Sequence, residues 1–165
     1  MNPFVLRAGA WAEPWRLWTC HAVHFDAVHA GLNLAALAVP FLLVRDRGRL
    51  ARGLLVAAPV LALLLLPAIG PGTYRGASGL ACTAWAAAGL GLLGDRRRRG
   101  EGLALCGLLV GKLAWEAFRG AAWLPGGEGW TALPAAHLWG AALGGLLAGV
   151  DRFRRRGGVL DRSNN

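Results

Sequence analysis

Ser78, His137, His29 and Asn33 are the residues whose types and spacing could carry covalent chemistry. A serine whose proton is taken by a histidine, beside a set of anion-stabilising donors, is the minimal apparatus for acyl transfer. Ser78 lies in Arg75-Gly-Ala-Ser-Gly79, between small residues. At a helix start its hydroxyl would meet unpaired N–H groups and the positive end of the dipole, which favour a developing anion. His29 and Asn33 are spaced i, i+4, so two hydrogen-bonding groups share one helical face. His137, Gly140 and Gly144 fall at i, i+3, i+7, which sets the imidazole on a face where two glycines admit a neighbouring backbone. A plain alternative stands beside each: Ser78 as an N-cap, Asn33 as a tie between helices with His29 at its edge, and His137 as an interhelical hydrogen bond.

The elements that must position these groups are membrane helices. Of 165 residues, 55% are hydrophobic and only 16% charged, against about 25% charged in soluble domains; mean hydropathy is +0.42. No charged residue occurs over 27–44, 53–74, 76–94 or 129–150, and a fifth apolar segment, 102–118, is interrupted only by Lys112 and Glu116. Each is near or above the roughly 18 residues that flag a span, and helices are the default where backbone polar groups cannot meet water. The expectation is an all-α polytopic bundle with five spans, at about 27–44, 53–73, 77–94, 102–118 and 135–150. Residues 1–26 are too polar to span and carry Trp11, Trp15 and Trp18, which suits an interfacial segment. No cleavable signal-peptide pattern opens the chain.

The net charge of +9 raises the question of a nucleic-acid partner, and the position of the charges answers against it. Thirteen of the eighteen Lys and Arg lie after the first span (Arg45, Arg47, Arg49, Arg52), after the third (Arg96 to Arg99) or in the 151–165 tail (Arg152, Arg154, Arg155, Arg156, Arg162). All three regions fall on one side. By the positive-inside rule that side is cytoplasmic, which puts residues 1–26 and the loops at 70–76 and 119–134 outside, with the candidate residues at the outer ends of their helices. Cys20, Cys82 and Cys106 show no metal spacing and no disulfide framework, so no cofactor or metal is expected.

These motifs, taken in order, resemble the rhomboid family of intramembrane serine proteases. The match runs from Trp15-Arg16 through His24, His29-x-x-x-Asn33 and Gly76-x-Ser78-Gly79 to His137-x-x-Gly140-x-x-x-Gly144. Tyr74-Arg-Gly-Ala-Ser-Gly-Leu80, the Lys112-x-x-x-Glu116 pair and the short chain are most similar to the rhombosortase branch.

The resemblance implies Ser78 as nucleophile and His137 as general base, acting as a dyad without a third orienting carboxylate. It implies an oxyanion hole from the Ser78 N–H, His29 and Asn33, with His24, Gly76, Gly79, Gly140, Gly144, Trp15 and Arg16 in support. Its substrates would be membrane-anchored proteins, in the rhombosortase case ones with a C-terminal Gly-Gly motif, a membrane helix and a basic end. Lys112 and Glu116 would hold a gate or a loop, or else form a pair snorkelling to the interface. A rhomboid core has six helices, the first before the Trp-Arg loop, so the expectation is a chain annotated from a late start or a five-helix variant. General rhomboid proteolysis and a catalytically silent helix-binding protein are the alternatives to a rhombosortase.

Overall fold

The computed structural model describes residues 2–120 and 133–162, with side chains to residue 154. The element order is β1 (Leu6–Arg7), a 3-10 turn (Ala10–Ala12), α1 (Arg16–Thr19), α2 (Ala27–Leu43), α3 (Arg47–Ile69), β2 (Thr73–Tyr74), α4 (Ser78–Leu93), α5 (Arg99–Arg119) and α6 (Pro134–Arg162). Among the described residues the fold is a helical membrane bundle of five long helices, with one small β-ribbon beside it. Among the described residues, by length and composition, α3 is the one helix long and apolar enough to cross a membrane; α2 and α4 are shorter apolar helices.

Local sequence sets the helix ends. Asp26 caps α2 by accepting from His29 N at 2.7 Å, and Asp46 caps α3 through Arg49 N at 2.8 Å. Gly120 closes α5 in the left-handed region, at φ 63°. Pro40 lies within α2, and Pro59 and Pro67 within α3; neighbouring helices in a membrane bundle can re-satisfy the backbone groups that proline leaves.

The central element is α4. Gly79, Ala81, Cys82, Thr83, Ala84, Ala86, Ala88 and Gly89 are all buried, and α4 packs against α2, α3, α5 and, most extensively, α6. Large apolar side chains point the other way: Leu34, Leu42, Leu55, Val56, Leu108, Val110, Phe118 and Leu146 are exposed. Small residues inside and large apolar residues outside is the arrangement lipid favours, because helices associate there by close packing rather than by escape from water.

The two ends of the bundle differ in chemistry. Arg45, Arg49, Arg98 and Arg152 line one cavity of about 590 Å³, with Arg49 paired to Asp151 at 2.9 Å and Arg98 paired to Glu101. The three basic regions of the sequence thus gather at one end. Ser78 opens α4 at the other. There β1 pairs antiparallel with β2, Leu6 opposite Tyr74 and Arg7 opposite Thr73, so the N-terminal segment is fastened to the loop that leads into α4.

Candidate active site

Ser78 is the first residue of α4, and the turn before it is held from three directions. Gly76 adopts φ 119°, a conformation open to glycine and strained for any side chain. Its N–H donates to Cys20 O at 2.8 Å. The Tyr74 hydroxyl donates to Gly76 O at 2.9 Å and sits beside the Ser78 side chain. Burial pushes the Tyr74 phenol above its ordinary pKa, so it remains a neutral donor. Ala77 at the N-cap offers no side-chain cap, which leaves first-turn N–H groups of α4 to other partners.

The third direction is α2. A Cβ built on Gly76 would lie 2.9 Å from His29 Cε1, 3.3 Å from His29 Nε2 and 3.7 Å from Asn33 Nδ2. The i, i+4 pair therefore converges on the turn two residues before Ser78. Asn33 is buried, and its Nδ2 meets no acceptor among the described residues. A buried donor in that condition is costly unless something else accepts from it. The His29 ring is braced edge-on by His24, with centroids 5.2 Å apart, and lies tilted at 31° against Phe25, with centroids 5.7 Å apart.

His137 reaches this end of the bundle because α4 and α6 nearly touch. A Cβ on Gly140 would lie 2.1 Å from Gly79 O, and one on Gly144 2.3 Å from Thr83 O. A Cβ on Gly79 would stand 2.9 Å from Ala136 O. The contact thus falls on the residue after Ser78 and the residue before His137. His137 is buried, and its Nδ1 lies 2.8 Å from Glu116 Oε2 and 2.9 Å from Lys112 Nζ. Lys112 Nζ donates to Glu116 Oε1 at 2.7 Å. Neither His137 Nε2 nor the Ser78 hydroxyl donates a hydrogen bond to the other among the described residues, and catalytic hydrogen bonds are often long before substrate binds.

Trp15 and Arg16 make their hydrogen bonds within the N-terminal segment. Arg16 is buried, donating to Val5 O at 2.8 Å and to Glu13 Oε1 at 2.7 Å, and Trp15 donates to Pro3 O at 3.3 Å. They fold the N-terminal segment that carries β1. The guanidinium groups of Arg16 and then Arg7 hold the Glu13 carboxyl down to a pKa of about 2. Residues 121–132, most of the expected 119–134 loop, lie outside the described residues, as do the side chains of Arg155, Arg156 and Arg162. Among the described residues no group of three His, Cys, Asp or Glu is arranged to hold a metal ion.

The family model of the Rhomboid domain matches residues 12–154. The chain belongs to the rhomboid family. Rhomboids are intramembrane serine proteases acting on membrane proteins, so the bundle is that of an integral membrane protein. No curated protein and no solved structure gives a significant match.

The rhomboid fold brings His24, His29, Asn33, Gly76, Ser78, Gly79, His137 and Gly140 to one end of the bundle, with Gly144 a turn deeper. It also brings Lys112 and Glu116 onto His137, where the sequence suggested a gate or an interfacial pair. Two opposite charges within a span marked the pair in the sequence, as a gate or loop holder or as a pair snorkelling to the interface. No spacing could name a partner 21 residues away across a helix hairpin.

Proposed function

We propose that this rhomboid is an intramembrane serine endopeptidase in which Ser78 is the nucleophile and His137 the general base. The observation that carries the reading is the convergence of His29 and the unsatisfied Asn33 amide on the turn that delivers Ser78. Attack by Ser78 Oγ on a peptide carbonyl, with its proton passing to His137 Nε2, develops an oxyanion. The Ser78 N–H, Asn33 Nδ2 and His29 would stabilise it, each such donor being worth about 10²–10³ in rate. The imidazolium then protonates the leaving amine, and water hydrolyses the acyl-enzyme. The basic cluster at the far end supports a cytoplasmic placement of that end by the positive-inside rule, with the site facing outward. Seventeen Arg to one Lys, with abundant Ala and Gly, fits a GC-rich bacterial source and thus the cytoplasmic membrane.

The rhombosortase reading adds substrates bearing a C-terminal Gly-Gly motif, a membrane helix and a basic end. It rests on Tyr74-Arg-Gly-Ala-Ser-Gly-Leu80 and on Lys112-x-x-x-Glu116. A membrane reporter with this tail, and a second with its two glycines replaced by valines, are co-expressed with the protein and with Ser78→Ala. Cleavage of the first reporter alone, lost in Ser78→Ala, supports a rhombosortase. Equal cleavage of both assigns a general rhomboid protease. Two intact reporters beside folded protein would point instead to a silent helix-binding rhomboid.

A further inference from the structure

Two groups compete for one nitrogen of His137. Glu116 Oε2 can only accept a proton from Nδ1, and Lys112 Nζ can only donate one to it; they lie 2.8 and 2.9 Å away. Each choice fixes a different tautomer. With Nδ1–H held by Glu116, the Nε2 lone pair is available as a base. With Nδ1 accepting from Lys112, Nε2 carries the proton and cannot take one from Ser78.

The surroundings decide between them. Glu116 is 3% exposed, and its carboxylate would face a nitrogen lone pair at hydrogen-bond distance, acceptor against acceptor, in a medium of low dielectric. Lys112 is 28% exposed, already donates to Oε1, and has two further N–H groups that can turn toward polar surroundings. Setting Glu116 Oε2 against a lone pair at that distance costs more than turning one Lys112 N–H away from Nδ1.

We propose that Glu116 is a positioning residue that holds His137 as the Nδ1–H tautomer, extending the serine–histidine pair to a three-membered Ser78–His137–Glu116 relay, with Lys112 paired to the other oxygen of Glu116. The proposal rests on the protease reading for its catalytic consequence. The proton balance is simple: the Ser78 proton moves to His137 Nε2, the imidazolium is stabilised by the Glu116 carboxylate, which stays unprotonated, and the proton leaves on the departing amine. A carboxylate in this role raises the turnover rate and leaves substrate binding untouched, because it acts on the charged imidazolium of the transition state.

The test pairs a readout of the tautomer with one of chemistry. Purified protein with ¹⁵N-labelled histidine in detergent micelles gives the His137 side-chain signals by NMR, assigned by their loss in His137→Gln. The expected pattern is a protonated Nδ1 and an unprotonated Nε2, with the Nδ1–H signal lost or redistributed in Glu116→Gln. In parallel, the rate of fluorophosphonate labelling falls about 10²–10⁴-fold in Glu116→Gln, with probe affinity unchanged. A wild-type Nε2–H tautomer, or the same tautomer and labelling rate in Glu116→Gln, overturns the proposal while leaving the protease standing. The expected tautomer pattern in a wild type that never labels keeps Glu116 as the orienting group and overturns the protease reading instead.

Discussion

Gly140 and Gly79 meet so closely across α4 and α6 that a Cβ on Gly140 would lie 2.1 Å from Gly79 O. In the proposed dyad the distance between those two helices sets how close His137 comes to Ser78, since each residue is next to or one turn from this contact. A methyl group there faces a backbone oxygen that no rotamer change can move.

The consequence for Gly140→Ala is a loss of both fit and activity. Alanine favours a helix over glycine by up to about 1 kcal/mol, but overpacking against fixed backbone costs about 1–3 kcal/mol. The clash wins, the helices part, and cleavage falls at least about 10²-fold. Gly111→Ala in α5 is the control, because a Cβ there meets nothing within 4 Å; it should leave thermal stability in detergent equal or slightly raised and activity unchanged. Equal behaviour of the two variants would contradict the packing account.

Asn33→Ala separates a working donor from a structural tie. As an oxyanion donor, Asn33 should cost about 10²–10³ in turnover when removed, with no loss of thermal stability, since its Nδ2 satisfies no acceptor among the described residues. A helix-to-helix tie predicts the reverse, a fall in melting temperature with activity following stability. Melting and turnover measured on one preparation distinguish the two.

The pH response of the N-terminal segment follows from Glu13. Its pKa is lowered from 4.5 to about 2 by Arg16 and Arg7, so between those values the native state binds fewer protons than the unfolded state. The stabilisation is fully present above pH 4.5 and is lost as pH falls through about 2. Wild type should therefore exceed Glu13→Gln in stability at neutral pH, with the gap closing across that window in thermal melts. A gap that does not change with pH would show that Glu13 acts by packing alone.

Much of the fold is legible in the sequence. Charge-free runs marked the helices, because lipid enforces both length and apolarity, and the spacings His29-x-x-x-Asn33 and His137-x-x-Gly140 each set two residues on one helix face. The loop at 70–76 was expected from sequence, yet the Gly76 φ of 119° and the contact of Gly76 with His29 depend on how α2 and α4 lie together. Glu116 was visible as a charge in a span, but its bond to His137 is set by the packing of α5 and α6. The roles of Asp26 as a cap and of Tyr74 as a brace were not assigned from sequence, since a short polar residue and a lone tyrosine have many equivalent uses.

The central claim is that Ser78 is a nucleophile activated by His137, and covalent labelling tests it most directly. Purified protein in detergent is exposed to a fluorophosphonate probe and the modified peptide is located by mass spectrometry, beside Ser78→Ala and His137→Ala of equal thermal stability. The account predicts a single adduct on Ser78, absent from both variants. A folded wild type that takes up no probe, or undiminished labelling in Ser78→Ala, would contradict it.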